Sequence, residues 1–202
     1  LFDRVEPGAR KAGKRQILRS ALACFAELGV DATPIDTIRE RAGSSIGSIY
    51  HHFGSKEKIA SALYLEGLRN MRALQDKRVM RAQNLEQFVK AIVGSHVDWI
   101  GTNPDWARFL FSQRPVVSKS GDESVMKEET HASYQQLMTR FFELAPEGYQ
   151  MPYPKAICVS LLIGPVHEYA RAWLSGRQNK TLVSQKEFFA QAAWRIFQPP
   201  TL

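Results

Sequence analysis

Residues 43–57 read GSSIGSIYHHFGSKE. Ser45 and Ser55 are of the residue type that commonly precedes a helix, because a serine hydroxyl accepts hydrogen bonds from free backbone N–H groups. Gly54 lies between them and suits the left-handed conformation in which helices often end. The stretch therefore predicts a short helix over residues 46–53 and a new helix directly after it.

The residues before this stretch predict two more helices. Over residues 16–28 apolar side chains recur at intervals of three and four, which is the pattern of one buried helix face. Gly29 suits the end of that helix. Thr33 and Pro34 have the order of an N-cap and a first helical residue, which predicts a second helix ending near Ala42. Two short helices are thus expected on either side of a tight turn.

The helix over residues 46–53 has two distinct sides. Ile49 and Phe53 give it an inward side, so its other residues must face outward. Small residues at its tip allow close approach to base edges in a DNA major groove, and the hydroxyl and imidazole donors that follow suit phosphates. Outside this motif, His51 and His52 would be interpreted as a solvated pair and Tyr50 as a partly buried ring.

Residues 14–60 resemble the DNA-binding domain of the tetracycline-repressor (TetR) family of bacterial transcriptional regulators. The resemblance is carried by the apolar first helix ending in FAELG at 25–29 and above all by the run GSIYHHFGSKE at 47–57. Ser44 departs from the valine usual in the family, and Ile46 stands where a polar residue is common. No base preference can therefore be transferred to this chain.

The resemblance implies a role for each outward residue of the motif. Ile46, Gly47 and Ser48 would approach base edges, and the side chains that follow them would anchor phosphates. Lys56 lies in the first turn of the next helix, where free N–H groups also attract an anion. The implied DNA-binding set is Thr33, Ser44, Ser45, Ile46, Gly47, Ser48, Tyr50, His51, His52 and Lys56.

The rest of the chain also carries helical periodicity, and no alternating strand pattern of useful length occurs. Helices are predicted over 56–80, 84–101, 103–115, 125–142, 155–175 and 184–197. Capping boxes at Asn84 and Ser184 open two of them. Gly101 is expected to end one helix and Pro115 to help stop another, and the segment 118–123 is expected to be a loop. The sequence predicts an all-α fold of about nine helices.

The resemblance implies a helix-turn-helix DNA-binding domain, which we place at 1–60, and an effector-binding and dimerisation domain, which we place at 61–202. The candidate effector-binding residues are Trp99, Trp106, Phe109, Phe111, Met126, Tyr134, Met138 and Phe141; each of these could instead belong to the core. The candidate dimer-interface residues are Leu161, Gly164, His167, Glu168, Arg171, Phe188, Phe189, Ala192, Ala193 and Ile196; an intramolecular core is the alternative. Pro165 should kink its helix.

The composition narrows the class of protein. The chain has 202 residues, of which 44% are hydrophobic, and a formal net charge of +7. This balance suits a folded chain, and no apolar run reaches the roughly 18 residues that a membrane helix requires. Cys24 and Cys158 lie far apart, so neither a disulfide framework nor a cysteine zinc site is indicated. We expect a cytoplasmic protein without metal or cofactor.

The basic charge points to a polyanionic partner. The resemblance implies that this partner is a double-stranded DNA operator, that a homodimer binds it, and that a small molecule controls the binding. Six Lys or Arg residues and two acidic residues fall within residues 1–20. Charge alone leaves two interpretations of that leader open, a solvated segment and an arm that contacts phosphates. A second copy of the motif would make the operator palindromic.

Two other functions are the alternatives to a regulator. The clusters of acids and imidazoles are His96 with Asp98, Glu128 and Glu129 with His131, and His167 with Glu168. None has metal-ligand spacing on one helix face, and the sequence has no glycine-rich phosphate loop or nucleophile elbow, so no enzyme is predicted. A DNA-coating protein without sequence preference is the other alternative, and it would bind with a steep salt dependence.

Overall fold

The computed structural model describes residues 12–198, and every regular element within that range is a helix. The α-helices are α1 (Ala12–Leu28), α2 (Ile35–Ala42), α3 (Ile46–Phe53), α4 (Lys56–Val79), α5 (Leu85–Thr102), α6 (Pro104–Ser112), α7 (Arg114–Ser120), α8 (Glu123–Leu144), α9 (Lys155–Leu174) and α10 (Lys186–Phe197). A 3₁₀ turn at Val183–Gln185 precedes α10. The all-α prediction is confirmed, with ten α-helices in the described range where about nine were expected. Residues 1–11 of the basic leader lie outside the described residues.

The described chain forms two compact units. The first contains the described residues up to Arg69 together with 105–128, and the second contains 70–104 and the described residues from 129 onward. The proposed division between residues 60 and 61 stays a prediction. No helix within residues 12–198 is long and apolar enough to cross a membrane.

The first unit has a core built from one face of each of its helices. Ile17 of α1, Ile38 of α2 and Ile49 of α3 each expose 1% or less of their surface. Burying such a side chain contributes about 1.5–3 kcal/mol, so the three isoleucines hold the short helices against α1. Phe25 stacks on Phe109 of α6, with ring centroids 5.9 Å apart.

The second unit is built around α5, which is apolar on most of its circumference. Its buried residues recur along the whole helix, and it packs against both α9 and α10. Asp98 on its outer side accepts hydrogen bonds from Arg78, at 2.7 Å, and from Lys186, at 2.9 Å. Burial alone would raise the pKa of Asp98, but the two cationic donors outweigh burial and hold the pKa below 3.8. These ion pairs tie α4, α5 and α10 together.

The N-terminus of α2 differs from the prediction. Helix α2 begins at Ile35 with Pro34 as its N-cap, and no side chain caps it. Thr33 is fully buried, and its hydroxyl donates to the Gly29 carbonyl at 2.6 Å. The prediction of Thr33 as the N-cap of α2 is wrong because its hydroxyl is taken by the free carbonyls at the end of α1.

Gly101 and Pro115 were also assigned the wrong roles. Helix α5 continues past Gly101 to Thr102, and a Cβ atom on this glycine would lie 2.5 Å from Cγ2 of Val183. Gly101 is thus suited to close packing and not to ending the helix. Pro115 lies in the first turn of α7, where its missing N–H costs nothing. Part of the segment predicted as a loop is therefore helical.

The two predicted capping boxes have different outcomes. Asn84 is the N-cap of α5, and its Oδ1 accepts from the Gln87 N–H at 2.9 Å. The Ser184 box is wrong, because Ser184 donates its hydroxyl to the Thr181 carbonyl at 2.7 Å within the 3₁₀ turn. Helix α10 consequently starts after Gln185 without a side-chain cap.

Candidate functional site

Helix α3 is bounded by local hydrogen bonds that its own sequence supplies. The Ser45 hydroxyl oxygen accepts from the Ser48 N–H at 3.1 Å, which caps the N-terminus. At the other end Gly54 has φ 81°, and its N–H donates to the Tyr50 carbonyl at 2.8 Å. Ser55 then caps α4 by accepting from the Lys58 N–H. Both predicted ends of α3 are confirmed, and its orientation is fixed from both sides.

The turn between α2 and α3 is equally well defined. Gly43 has φ 58°, a left-handed conformation that favours glycine, and its N–H donates to the Glu40 carbonyl. The Ser44 N–H donates to the Arg39 carbonyl at 3.1 Å, which completes a Schellman arrangement. The chain therefore reverses within two residues and presents the tip of α3.

The two faces of α3 agree with the predicted inward and outward sides. Ile49 exposes 1% of its surface and Phe53 is half-buried, whereas Ile46 exposes 41% and Tyr50 47%. The residues on the outward side are Ser45, Ile46, Gly47, Tyr50, His51 and His52, which are exposed, and Ser48, which is half-buried. The helix has no Lys, Arg, Asp or Glu, so its contacts would come from hydroxyl, imidazole, phenol and apolar groups.

Two members of the predicted DNA-binding set have internal partners. Thr33 is fully buried with its hydroxyl bonded to Gly29, so the structure contradicts its predicted contact with phosphate. The Lys56 ammonium donates to the carbonyls of Asp31, at 3.0 Å, and Thr33, at 2.9 Å. Lysine has three donors, and these two bonds to the α1–α2 loop use two of them, so the predicted phosphate contact of Lys56 stays a prediction.

The basic side chains near α2 and α3 are engaged within the first unit. Arg39 pairs with Asp36 at 2.9 Å, and Arg41 pairs with Glu27 at 3.0 Å. The Lys14 ammonium lies 5.6 Å from the centre of the Phe53 ring, a cation–π distance. The Arg41–Glu27 pair joins α2 to α1, and the Lys14–Phe53 contact joins α1 to α3.

A cavity of about 220 Å³ lies within the second unit. Its wall comes from α4, α5, α8, α9, α10 and the loop before α9. Among the predicted effector-binding residues, Tyr134, Met138 and Phe141 line this cavity. The other five, Trp99, Trp106, Phe109, Phe111 and Met126, do not line it.

Three of those five have clear structural roles instead. Trp106 belongs to the first unit and donates its indole N–H to the Leu63 carbonyl at 2.9 Å. Phe109 stacks in the same core, and Trp99 donates its indole N–H to Asn70 Oδ1 at 2.8 Å. The core interpretation therefore holds for these three residues.

Several wall residues were not predicted: Met71, Gln75, Phe88, Ile92, His96, Cys158 and Ile163. A periodic signal existed for some of them, since Phe88, Ile92 and His96 are spaced by four and share one face of α5. That signal marks a buried face but does not distinguish a packed core from a cavity. The convergence of helices distant in sequence decides the difference.

A chain of hydrogen bonds crosses one side of the cavity wall. His96 Nε2 lies 3.0 Å from Gln75 Oε1, and His96 Nδ1 lies 3.1 Å from His167 Nε2. Burial, helped by the neighbouring His167, lowers the pKa of His96 to about 3. Burial, helped by Arg171, lowers the pKa of His167 to about 4. Both rings are thus neutral near pH 7.

The predicted dimer-interface residues are divided between the surface and the interior. Phe188 exposes 70% of its surface, Glu168, Arg171 and Ala192 are exposed, and Leu161, Gly164, Phe189 and Ile196 are half-buried. Ala193 exposes only 4%, and His167 bonds to His96. Burial of Ala193 favours the intramolecular alternative for that residue, whereas His167 is half-buried as well as bonded to His96, and the interface assignment stays a prediction.

The geometry of α2, α3 and the turn between them can be compared with known proteins. Residues 17–63 match the family model described as bacterial regulatory proteins, tetR family. That match assigns the segment containing α2 and α3 to the tetR family. Within the residues that the structure describes, no group of three or more His, Cys, Asp and Glu side chains could hold a metal ion.

The sequence of this chain is similar in part to those of named repressors. It is 31% identical to the HTH-type transcriptional repressor Rv1474c of Mycobacterium tuberculosis over 99 residues, which cover 49% of this chain and 51% of that protein. It is 41% identical to the HTH-type transcriptional repressor AcnR of Corynebacterium efficiens over 68 residues, covering 33% of this chain and 36% of that protein. The chain thus spans about half or less of the length of these curated relatives.

The fold of this chain is similar to that of a solved structure over nearly its whole length. A solved regulatory protein of the tetR family from Rhodococcus RHA1 superposes with a TM-score of 0.75, covering 93% of this chain and 97% of that one. The two are 22% identical. This likeness shows the fold alone.

Proposed function

We propose that the chain is a transcriptional repressor that binds a palindromic operator as a homodimer and is released from DNA by a small molecule. The observation that carries this proposal is the capped helix α3, whose tip has exposed small and hydroxyl-bearing residues. A major groove admits one helix, and side chains such as Ser48 and Tyr50 suit base edges and phosphates respectively. The names of the similar proteins support repression.

A dimer would explain how two short helices achieve specificity. Two recognition helices reach successive major grooves when they lie about 34–36 Å apart, one turn of the duplex. Exposed Phe188 and half-buried Phe189 of α10, with the half-buried Leu161 and Gly164 of α9, supply an apolar surface for pairing. Isologous pairing of that surface would make the operator palindromic.

The cavity of the second unit supplies a place for the effector. An effector releases DNA only to the extent that it binds the non-binding conformation more tightly than the DNA-binding one. Tyr134, Met138 and Phe141 on one face of α8 contribute to its wall, and the Gln75–His96 pair adds a polar edge. A compound seated there would contact most helices of the second unit at once.

Fluorescence anisotropy with duplexes from the chain's own upstream region tests the proposal. Tyr50→Ala should weaken binding to operator and to unrelated duplex alike, roughly 5- to 20-fold, because a phosphate contact carries no sequence information. Ser48→Ala should instead change the preferred bases. Tyr153→Ala is a matched control, since Tyr153 lies in the second unit with 49% of its surface exposed, against 47% for Tyr50.

The same titrations separate the alternatives. Equal affinity for operator and unrelated duplex at every salt concentration would favour a nonspecific DNA-coating protein. Operator binding by Tyr50→Ala at the wild-type affinity would contradict the assignment of α3. The similar proteins are regulators, and we expect no catalytic activity.

A further inference from the structure

The cavity of the second unit is small and mostly apolar, which limits the size and polarity of its ligand. Phe88, Ile92, Leu137, Met138 and Ile163 form much of its wall. A cavity of about 150 Å³ is enough to hold benzene. The 220 Å³ available here therefore suits a ring with a short substituent, about ten to twelve non-hydrogen atoms.

One polar atom on the wall is unsatisfied. The Tyr134 hydroxyl oxygen is buried and has no hydrogen-bond partner within residues 12–198. An unmet buried hydroxyl costs about 1–3 kcal/mol, a cost that a ligand atom could remove. Burial, with the nearby Cys158, raises the pKa of Tyr134, so this group keeps its proton and can donate it. A ligand acceptor atom would satisfy it.

The other polar groups of the wall already have partners or face solvent. His96 lies between Gln75 and His167. Arg72 donates to Thr130 Oγ1 at 2.6 Å, and Glu129 lies 3.7 Å from its guanidinium as a counter-ion. Lys155, at the N-terminus of α9, is exposed. Of these two wall cations, Arg72 already has a counter-ion and Lys155 is exposed to solvent, so an ion pair with either would offset little of the cost of desolvating a carboxylate.

From this pattern we infer that the effector is an uncharged, largely apolar small molecule with one carbonyl oxygen that accepts a hydrogen bond from the Tyr134 hydroxyl. The inference rests on the proposed function, which makes this cavity the effector site. The apolar wall supplies affinity, and the single donor supplies orientation and selects a ketone over a hydrocarbon of the same shape.

Three probes with the same number of non-hydrogen atoms test the inference by calorimetry on the full chain. Benzylacetone carries the ketone, isopentylbenzene replaces its oxygen by a methyl group, and hydrocinnamate carries a carboxylate. The wild type should bind benzylacetone roughly 3- to 10-fold more tightly than isopentylbenzene, the range of one neutral hydrogen bond. Hydrocinnamate should bind most weakly. Equal affinity for the first two probes, or tightest binding of the carboxylate, overturns the inference.

Removing the hydroxyl gives a second, independent measurement. Tyr134→Phe should lower the affinity for benzylacetone to that for isopentylbenzene or below it, because the carbonyl oxygen loses its donor, and should leave the affinity for the hydrocarbon unchanged. Without ligand this variant should be at least as thermostable as the wild type, because it deletes an unmet polar group. Tyr169→Phe is the matched control: its hydroxyl donates to the Lys180 carbonyl at 3.0 Å, so its loss should lower the melting temperature and leave all three affinities unchanged. An undiminished ketone preference in Tyr134→Phe overturns the inference.

DNA titrations of the same preparations distinguish this inference from the proposed function. If the chain binds no duplex but shows a ketone preference that depends on Tyr134, the repressor proposal fails and the ligand chemistry of the cavity stands. If it binds operator while the probes bind with equal affinity, only the ligand inference fails.

Discussion

At the scale of the residue, Lys56 joins two parts of the first unit. Its ammonium donates to two carbonyls of the loop before α2, and its backbone begins α4. Glu57 beside it has its pKa lowered by hydrogen bonds from its own N–H and from Ser55. This carboxylate offsets the unfavourable placement of a lysine at a helix N-terminus. Lys56 is therefore a stabilising residue as well as a candidate phosphate contact.

We expect Lys56→Met to lower the free energy of unfolding by about 1–2 kcal/mol, because two carbonyls lose their donor. Urea denaturation followed by circular dichroism measures this change. The matched control is Lys127→Met, whose ammonium is mostly exposed and pairs with Glu123, and which should change stability by less than about 0.5 kcal/mol. Equal effects of the two substitutions would remove the structural role assigned to Lys56.

At the scale of the element, the contact of α4 with α6 depends on a glycine. A Cβ atom on Gly67 would lie 2.5 Å from Nε1 of Trp106, the atom that donates to the Leu63 carbonyl. The indole could not stay in place with any larger residue at 67. Close approach of the Trp106 indole to α4 thus fixes the largest side chain in the core of the first unit.

Gly67→Ala should therefore destabilise the chain by about 1–3 kcal/mol, despite the better helix propensity of alanine, because Trp106 must move. The measurement is thermal unfolding, with tryptophan fluorescence as a second readout. Gly94→Ala is the control, since the nearest atom to its Cβ would be a flexible arginine end at 3.8 Å; it should be neutral or stabilising by up to about 1 kcal/mol. A loss of stability at Gly94 as large as at Gly67 would argue against the packing explanation.

The same elements show which features could be predicted from the sequence. Both ends of α3 were predicted correctly because capping by Ser45 and termination at Gly54 involve atoms within four residues. The roles of Thr33, Gly101 and Pro115 were not predicted correctly. Those of Thr33 and Gly101 depend on contacts with neighbouring elements, and a proline such as Pro115 can either end one helix or begin the next. The cavity also depends on neighbouring elements, since Gln75, His96 and His167 come together only through the packing of α4, α5 and α9. Local chemistry predicts the candidate DNA-binding helix, and tertiary packing decides the effector site.

At the scale of the whole molecule, the buried histidine pair makes stability depend on pH. His96 and His167 have pKa values of about 3 and about 4 in the folded chain, against an ordinary value of 6.5. Between pH 6.5 and about 4 the unfolded chain therefore binds more protons than the folded one. Stability is fully present above pH 6.5 and is lost as the pH falls through this window. The pKa of Asp98 is lowered below 3.8, so the stabilisation that its ionised carboxylate gives is lost only at more acid pH.

The free energy of unfolding should consequently fall by about 2–4 kcal/mol between pH 7 and pH 5, since each pH unit below 6.5 is worth up to about 1.4 kcal/mol for each of the two histidines. Urea titrations at several pH values measure the slope. His96→Gln keeps a polar group beside Gln75 and removes one titrating ring, so its slope should be clearly shallower. His131→Gln, at an exposed position on α8, should keep the wild-type slope. If the slope of His96→Gln matches that of His131→Gln, acid destabilisation arises elsewhere than in the wall of the cavity.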